Sequence, residues 1–249
     1  MFAQFFKKTS YYDRYMQLYA MRQAMANLQM EDNKTDMLDP IRTHEMYNNV
    51  VAFENILAKK PERISPYDLI DIADDINGGI YNKGFRRTQV EVRKAHKFYP
   101  PSPMEVQPLV YAAFNAYHNI WIDLPVFIKE AKLHIELVRI QPFEDGNKRS
   151  TRILTNYNLC MQNKAPVIIS GAETDKYFGY IDDYDADGMG DFLREKSEQE
   201  FKIMIDLYRA NYGEDFDDPI NQAKEEDIKT LIMARRIIDD IEKMEDEQN

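Results

Sequence analysis

Apolar residues recur at helical rather than strand spacing along most of this chain. Tyr15, Leu18, Met21, Met25 and Leu28 share one face of a helix predicted over residues 10–30. Thr43, a cap-type residue, precedes Val50, Val51, Phe53, Ile56 and Leu57, which predicts a second helix over 43–59. Ser65-Pro66 opens a third, carried by Leu69, Ile70, Ile72 and Ile76 to a stop at Asn77-Gly78-Gly79. The same spacing predicts helices from Pro103 to about 117, from about 124 to 139, from about 147 to 162, and over 173–184 and 189–211. Ile228, Leu231, Ile232, Ile237, Ile238 and Ile241 mark an amphipathic helix over 222–245 with an acidic end, suited to packing or to binding a partner. One region departs from the pattern. Phe85 to Val92 alternates toward its end and is followed by Phe98-Tyr99-Pro100-Pro101, which predicts a small β-hairpin over 84–99.

Composition supports a mainly α fold. Over 249 residues there are only 9 Gly and 11 Pro, too few for a sandwich of many short strands, while 44% hydrophobic residues suffice for a globular core. Lys+Arg 32 against Asp+Glu 43 leaves a net charge of -11, which argues against direct nucleic-acid binding and against an anionic membrane surface. Any phosphate site must then be a local basic cluster on an acidic body. Cys160 is the one cysteine, so no internal disulfide is possible; it reads as a core thiol in a cytoplasmic protein. The N-terminus, Met1 to Lys8, has no long apolar stretch and does not read as a signal peptide, and nothing approaches the length of a membrane span.

Chemistry concentrates in Val138 to Arg152. An apolar helix ends, Gln141-Pro142-Phe143-Glu144-Asp145 forms a loop, and a new helix opens at Gly146-Asn147. The first turn of a helix carries N–H groups without intrahelical acceptors and a partial positive charge, so it attracts anions. Lys148 and Arg149 lie in that turn, and Arg152 falls three residues later on the same side. Cations there oppose the helix dipole, which favours a polyphosphate site over the alternative of a solvated face with Asp145 as its cap. Asp145 is placed to hold Mg²⁺ between two phosphates.

This segment resembles the Fic motif, His-Pro-Phe-x-(Asp/Glu)-Gly-Asn-(Gly/Lys)-Arg-x-x-Arg, at every position but the first, and the resemblance extends over roughly residues 45–210. It implies a Fic-type helical bundle over 43–212, with an N-terminal helical extension over 1–42 and a C-terminal helix and acidic tail over 213–249. It implies that Asp145 holds Mg²⁺, that Gly146 and Asn147 form the phosphate nest with Lys148 also nucleotide-binding, and that Arg149 and Arg152 grip the outer phosphates of ATP. Lys148 also occurs in a family branch that phosphorylates, so another nucleotide orientation or donor stays open. By the same resemblance 84–99 is a flap whose Arg87, Thr88, Gln89 and Val90 dock a target protein segment by strand addition. Val50 to Asn55, within the 43–59 helix, resembles the family's inhibitory (Ser/Thr)-x-x-x-Glu-(Gly/Asn) element, with Glu54 expected to pair with Arg152; Val50 replaces the leading hydroxyl residue.

Gln141 stands where the family keeps its catalytic histidine. Histidine titrates near neutral pH and can take a proton from a target hydroxyl, whereas an amide only hydrogen-bonds. Two readings follow: an adenylyltransferase-like enzyme, together with Asp145, Asn147 and Arg149, impaired or altered by Gln141; or a non-catalytic nucleotide-responsive protein that recruits its target through the flap. An inactive partner in a toxin-like system is a third, and a homo-oligomer stays open. His134, two helical turns before Gln141 and about 10.5 Å away by helical rise, reads as structural. Asp183 to Gly188 imitates the start of a calcium loop, but Arg194 occupies the position of the bidentate glutamate, so an acidic turn before a helix is expected.

Overall fold

The structure, a computed structural model, describes residues 10–32, 40–81, 83–92 and 97–212. The helix expected over 222–245 and His96 lie outside the described residues. Eight α-helices are described: α1 (Ser10–Asp32), α2 (Pro40–Lys59), α3 (Pro66–Asn77), α4 (Pro103–Asn119), α5 (Val126–Ile140), α6 (Asn147–Met161), α7 (Thr174–Asp182) and α8 (Ala186–Tyr212). A single 3₁₀ turn, Gly171–Glu173, precedes α7.

Local chemistry sets the boundaries. Before α3 and α4 a serine is paired with an acidic residue three positions on. The Ser65 hydroxyl donates to Asp68 at 2.6 Å and the Ser102 hydroxyl to Glu105 at 2.6 Å, each with a proline as the first helical residue. Gly78 ends α3 in the left-handed region at φ 56, where a side chain would be strained.

α5 is the central element, packing against α4, α6, α7 and α8. Its Leu133, Leu137 and Ile140 join a core shared with α1 to α4, while Ala131, Ile135 and Val138 join a second core with α7 and α8. An helix apolar on both sides is therefore buried between two layers. α6 is buried as well, although its sequence is largely polar: Ser150, Thr151, Arg152, Thr155, Asn156 and Asn158 are all interior. Each must find an acceptor or donor inside the protein. The Thr151 hydroxyl returns to Asn147 O at 2.8 Å, and the Asn156 side chain both donates to and accepts from the Val167 backbone. Cys160 is buried in the larger core, as its apolar surroundings predict.

The expected hairpin is not formed: among the described residues no strand is present, and 83–92 and 97–102 run as irregular backbone. The main-chain donors of 86–88 turn instead to the loop between α5 and α6. Arg86 N–H donates to Pro142 O at 2.9 Å, and Arg87 N–H and Thr88 N–H donate to Glu144 Oε1 at 3.1 and 3.3 Å.

A buried carboxylate joins the helices that flank this loop. Glu130 of α5 is fully buried and accepts from Tyr117 of α4 at 2.5 Å and from Asn158 and Gln162 at 2.8 and 2.7 Å. Burial pushes its pKa up to about 7, against the pull of these donors and of Lys129. The folded state thus holds this proton more tightly than the unfolded chain, so the contribution to stability is full below the ordinary value of 4.5 and declines as pH rises to about 7. The loss amounts to about 3 kcal/mol. Urea unfolding from pH 5 to 8 should show this decline in the parent protein and a flatter profile for Glu130→Gln; equal slopes would refute the assignment.

Candidate functional site

The end of α5 and the start of α6 are joined by six residues whose backbone is set by three devices. Gln141 closes α5 in the left-handed region at φ 50, with its N–H bonded to Leu137 O at 3.1 Å. Gly146 opens α6 at φ 79, a conformation that a side chain would strain, and a Cβ there would also press on Asn77 Oδ1 at 3.2 Å and Ile76 Cγ2 at 3.3 Å. Asn147, 6% exposed, spans the loop between them: its Oδ1 accepts from Phe143 N–H at 2.7 Å and its Nδ2 donates to Phe143 O at 2.8 Å. Phe143 itself is anchored in the core and stacks with Phe85 at a centroid distance of 6.1 Å. Asn77, at the end of α3, donates to Asp145 O at 3.2 Å.

The residues expected at the anion site fall into two groups. Asp145 and Arg149 come together, Arg149 Nη2 donating to Asp145 Oδ2 at 3.0 Å; the carboxylate is exposed and the guanidinium nearly buried. Lys148 reaches the rim, its Nζ 5.3 Å from the Phe178 ring. The cap position of α6 is Gly146, with no side-chain cap bond, so the alternative of Asp145 as its cap is not the one formed. Arg152, one turn on, is 4% exposed and directed elsewhere: its Nε donates to Asn27 Oδ1 of α1 at 2.7 Å, and its guanidinium lies 5.9 Å from the Tyr177 ring. It lines a cavity of about 10 Å³ with Gln23, Asn27 and His134. That holds about one water and no triphosphate.

Arg152 therefore faces α1 and not the expected inhibitory helix. Glu54 and Asn55 lie on the exposed side of α2, where Asn55 Nδ2 donates to Asp75 Oδ2 at 3.0 Å; Ala52, Phe53 and Ile56 take the buried side. The expected Glu54–Arg152 pair is not formed. Asn27, which the sequence reading passed over, holds the arginine and is itself fixed by a bond to Asn49 Oδ1 at 3.1 Å. An asparagine buried among the apolar positions of α1 is the signal that could have pointed to it.

Gln141 is buried, and its side-chain amide folds back on α5, Nε2 donating to Val138 O at 2.6 Å. His134 is no substitute base. It is enclosed between Thr155 Oγ1 at 2.9 Å and Tyr177 OH at 2.7 Å, and burial, with the charge of Arg152, lowers its pKa to about 3. In the flap segment Arg87, Thr88 and Gln89 are exposed and Val90 half-buried; Gln89 Nε2 donates to Pro100 O at 3.2 Å. Glu144 lies between segment and loop. Although burial raises its pKa, the Thr88 hydroxyl, the two main-chain N–H groups and Arg86 hold it below the usual carboxylate value. Of the calcium-loop imitation, Asp185 accepts from Gly188 N–H at 2.8 Å at the start of α8, and Asp183 pairs with Lys97.

Comparison with known proteins bears on the same loop. The Fic/DOC family model matches residues 63–159. A protein adenylyltransferase Fic of Culex quinquefasciatus is 35% identical over 135 residues, covering 50% of this chain and 25% of the relative. A protein of the same name from Nematostella vectensis is 29% identical over 177 residues, covering 65% and 40%. The chain thus spans well under half the length of these relatives. The crystal structure of a Fic domain containing signaling protein from Bacteroides thetaiotaomicron superposes with a TM-score of 0.65 at 18% identity, over 83% of this chain and 91% of that one. Fic-1 from C. elegans gives 0.64 at 18%, over 82% and 68%. These two likenesses concern the fold. No helix among the described residues is long and apolar enough to cross a membrane.

Because Asn147 satisfies both polar groups of the Phe143 backbone in a buried setting, Asn147→Ala should lower stability by about 2–3 kcal/mol. Thermal and urea unfolding measure this; a loss below ~0.5 kcal/mol would refute its role in holding the loop.

Proposed function

Since this chain is a Fic/DOC-family protein, we propose that it binds ATP with Mg²⁺ at the start of α6 and presents the nucleotide to a hydroxyl of a target protein segment lying on 84–99. The observation that carries this reading is the uncapped, glycine-opened first turn of α6 with Asp145, Lys148 and Arg149 around it. The main-chain N–H groups of Gly146 and Asn147 suit the inner phosphates, and Lys148 and Arg149 the outer ones. Asp145 is a single, exposed carboxylate beside that turn, which fits Mg²⁺, a cation that keeps several waters and takes its other ligands from phosphates. Bound there, the ion would neutralise phosphate charge. Arg152 joins only if α1 releases it from Asn27, so α1 takes the inhibitory part that the resemblance assigns to Glu54 and Asn55. Arg87, Thr88, Gln89 and Val90 form the docking edge for the target.

Transfer of AMP needs a group that removes the proton of the attacking hydroxyl. Gln141 has no basicity, and its amide donor is engaged by Val138 O. General-base catalysis is worth about 10²–10⁴-fold, so transfer is slow or absent. That engaged amide favours the second reading, a nucleotide-responsive protein that recruits a target without modifying it. A histidine at 141 with Nδ1–H directed at the same carbonyl would leave Nε2 as the base.

Incubation with α-labelled ATP, Mg²⁺ and a cell lysate, alongside calorimetry, tests this. Gln141→His should label protein at least about 10²-fold faster than the parent, and both should bind ATP. Arg149→Ala should weaken binding at least ~10-fold through loss of a charged phosphate contact, Asn27→Ala should strengthen it, and Glu54→Gly should leave it unchanged. Absence of ATP binding by the parent and Asn27→Ala proteins would reject the site; label transfer by the parent at the rate of Gln141→His would reject the role given to Gln141.

A further inference from the structure

Successive N–H groups of an extended strand point to opposite sides, each toward a different neighbour. At residues 87 and 88 they do not. Arg87 N–H and Thr88 N–H converge on one oxygen, Glu144 Oε1, at 3.1 and 3.3 Å, and the Thr88 hydroxyl donates to Glu144 Oε2. One carboxylate thus collects three donors from two adjacent residues, and the backbone between them is bent. The bend is fixed from below by Arg86, a residue 3% exposed, whose guanidinium donates to Gln141 O at 2.7 Å, Thr88 O at 2.9 Å, Pro101 O at 2.5 Å and Ile140 O at 3.5 Å.

We propose that Glu144 is a latch that holds residues 86–90 in a bent form unable to pair as a strand, and that a partner strand binds this edge by displacing the Glu144 carboxylate from Arg87 and Thr88. The inference rests on the reading of 84–99 as a docking segment and assigns its regulation. Alternation toward the end of Phe85–Val92 favours a strand, while Glu144 favours the bend at 87 and 88, and the latch selects between the two arrangements. The same carboxylate is tethered beside its donors, so it competes at a high effective concentration and an incoming main chain must replace all three bonds. Glu144 also immediately precedes Asp145. Release of the docking edge therefore frees the residue next to the proposed cation ligand, and closure of the loop around a nucleotide bears on the edge in turn.

The latch can be tested on the full chain without a known target, by amide hydrogen exchange and by main-chain couplings (three-bond HN–Hα) of residues 86–90. In the parent protein the Arg87 and Thr88 amides should exchange about tenfold or more slowly than that of Gln89. Glu144→Ala should abolish that difference and move the couplings of 87 and 88 to extended-strand values, while Arg86 N–H, bonded to Pro142 O, stays protected and reports that the fold is kept. Glu144→Gln, which retains an acceptor but not the charge, should fall between. Fast exchange at Arg87 and Thr88 in the parent, or protection and couplings unchanged in Glu144→Ala, would overturn the proposal. ATP calorimetry on the same samples keeps the two readings apart: absent binding in the parent strikes the nucleotide site alone, and an unchanged exchange pattern strikes the latch alone.

Discussion

The structure depends on burying a polar helix. α6 carries asparagines, threonines, serine and two arginines into the interior, and an unsatisfied polar group there costs on the order of 1–3 kcal/mol. Groups on several neighbouring elements answer that demand. The Val167 backbone lies alongside Asn156, His134 meets Thr155, Glu130 meets Asn158, and Tyr157 reaches Pro61 O at 3.0 Å. An apolar helix would be held by close packing alone. α6 is held by directional bonds as well, and each small shift would break several of them at once. Its first turn is therefore held in one position, which is what a site built from main-chain N–H groups requires.

The helices were legible in the sequence because their apolar spacing and end signals agree. α3 illustrates this: Ser65-Pro66, the Leu69 to Ile76 stripe and the Asn77-Gly78 stop each act locally, and all point to one element. The burial of α6 was only half legible, since Ile153 to Met161 reads as apolar but the preceding polar turn carries no periodic sign of being interior. The strand expected over 85–92 is not present, for a related reason. Alternation reports local preference, whereas the Glu144 carboxylate is brought to Arg87 and Thr88 by the fold, 57 and 56 residues away in sequence. Motif order puts Asp145, Gly146, Asn147 and Arg149 within one loop and one helical turn, because they are near neighbours in sequence. It could not assign the partner of Arg152, which comes from a separate helix: Asn27 lies 125 residues from it, and Glu54 was preferred on motif spacing alone.

Electrostatics separates the two arginines of α6 more sharply than sequence spacing suggests. Arg149 faces an exposed carboxylate in the loop, a pairing that water screens and that a phosphate could replace with small loss. Arg152 is buried, with its Nε on Asn27 Oδ1. Burial, and after it the nearby Arg152 charge, disfavours the protonated form of His134, which is why the histidine stays neutral and structural. The chain as a whole carries an acidic excess, a net charge of -11. Affinity for a polyphosphate would then come from close contacts and the accompanying cation rather than from long-range attraction.

Gln141 joins these constraints at one residue. Its left-handed backbone ends α5, its carbonyl accepts from Arg86, and its amide caps Val138 O. A non-glycine side chain in that region costs about 1 kcal/mol, and the bonds on both sides offset it. The position thus has a structural task, turning the chain from α5 into the loop, that is independent of any proton transfer. A long polar side chain with one donor is sufficient for that task, and glutamine supplies it. Replacing an imidazole by an amide here removes basicity while leaving the loop, the α6 turn and the Arg86 anchor with the contacts they need. The geometry that would hold a nucleotide and the chemistry that would transfer part of it are therefore separable in this protein, because they rest on different atoms of the same short loop.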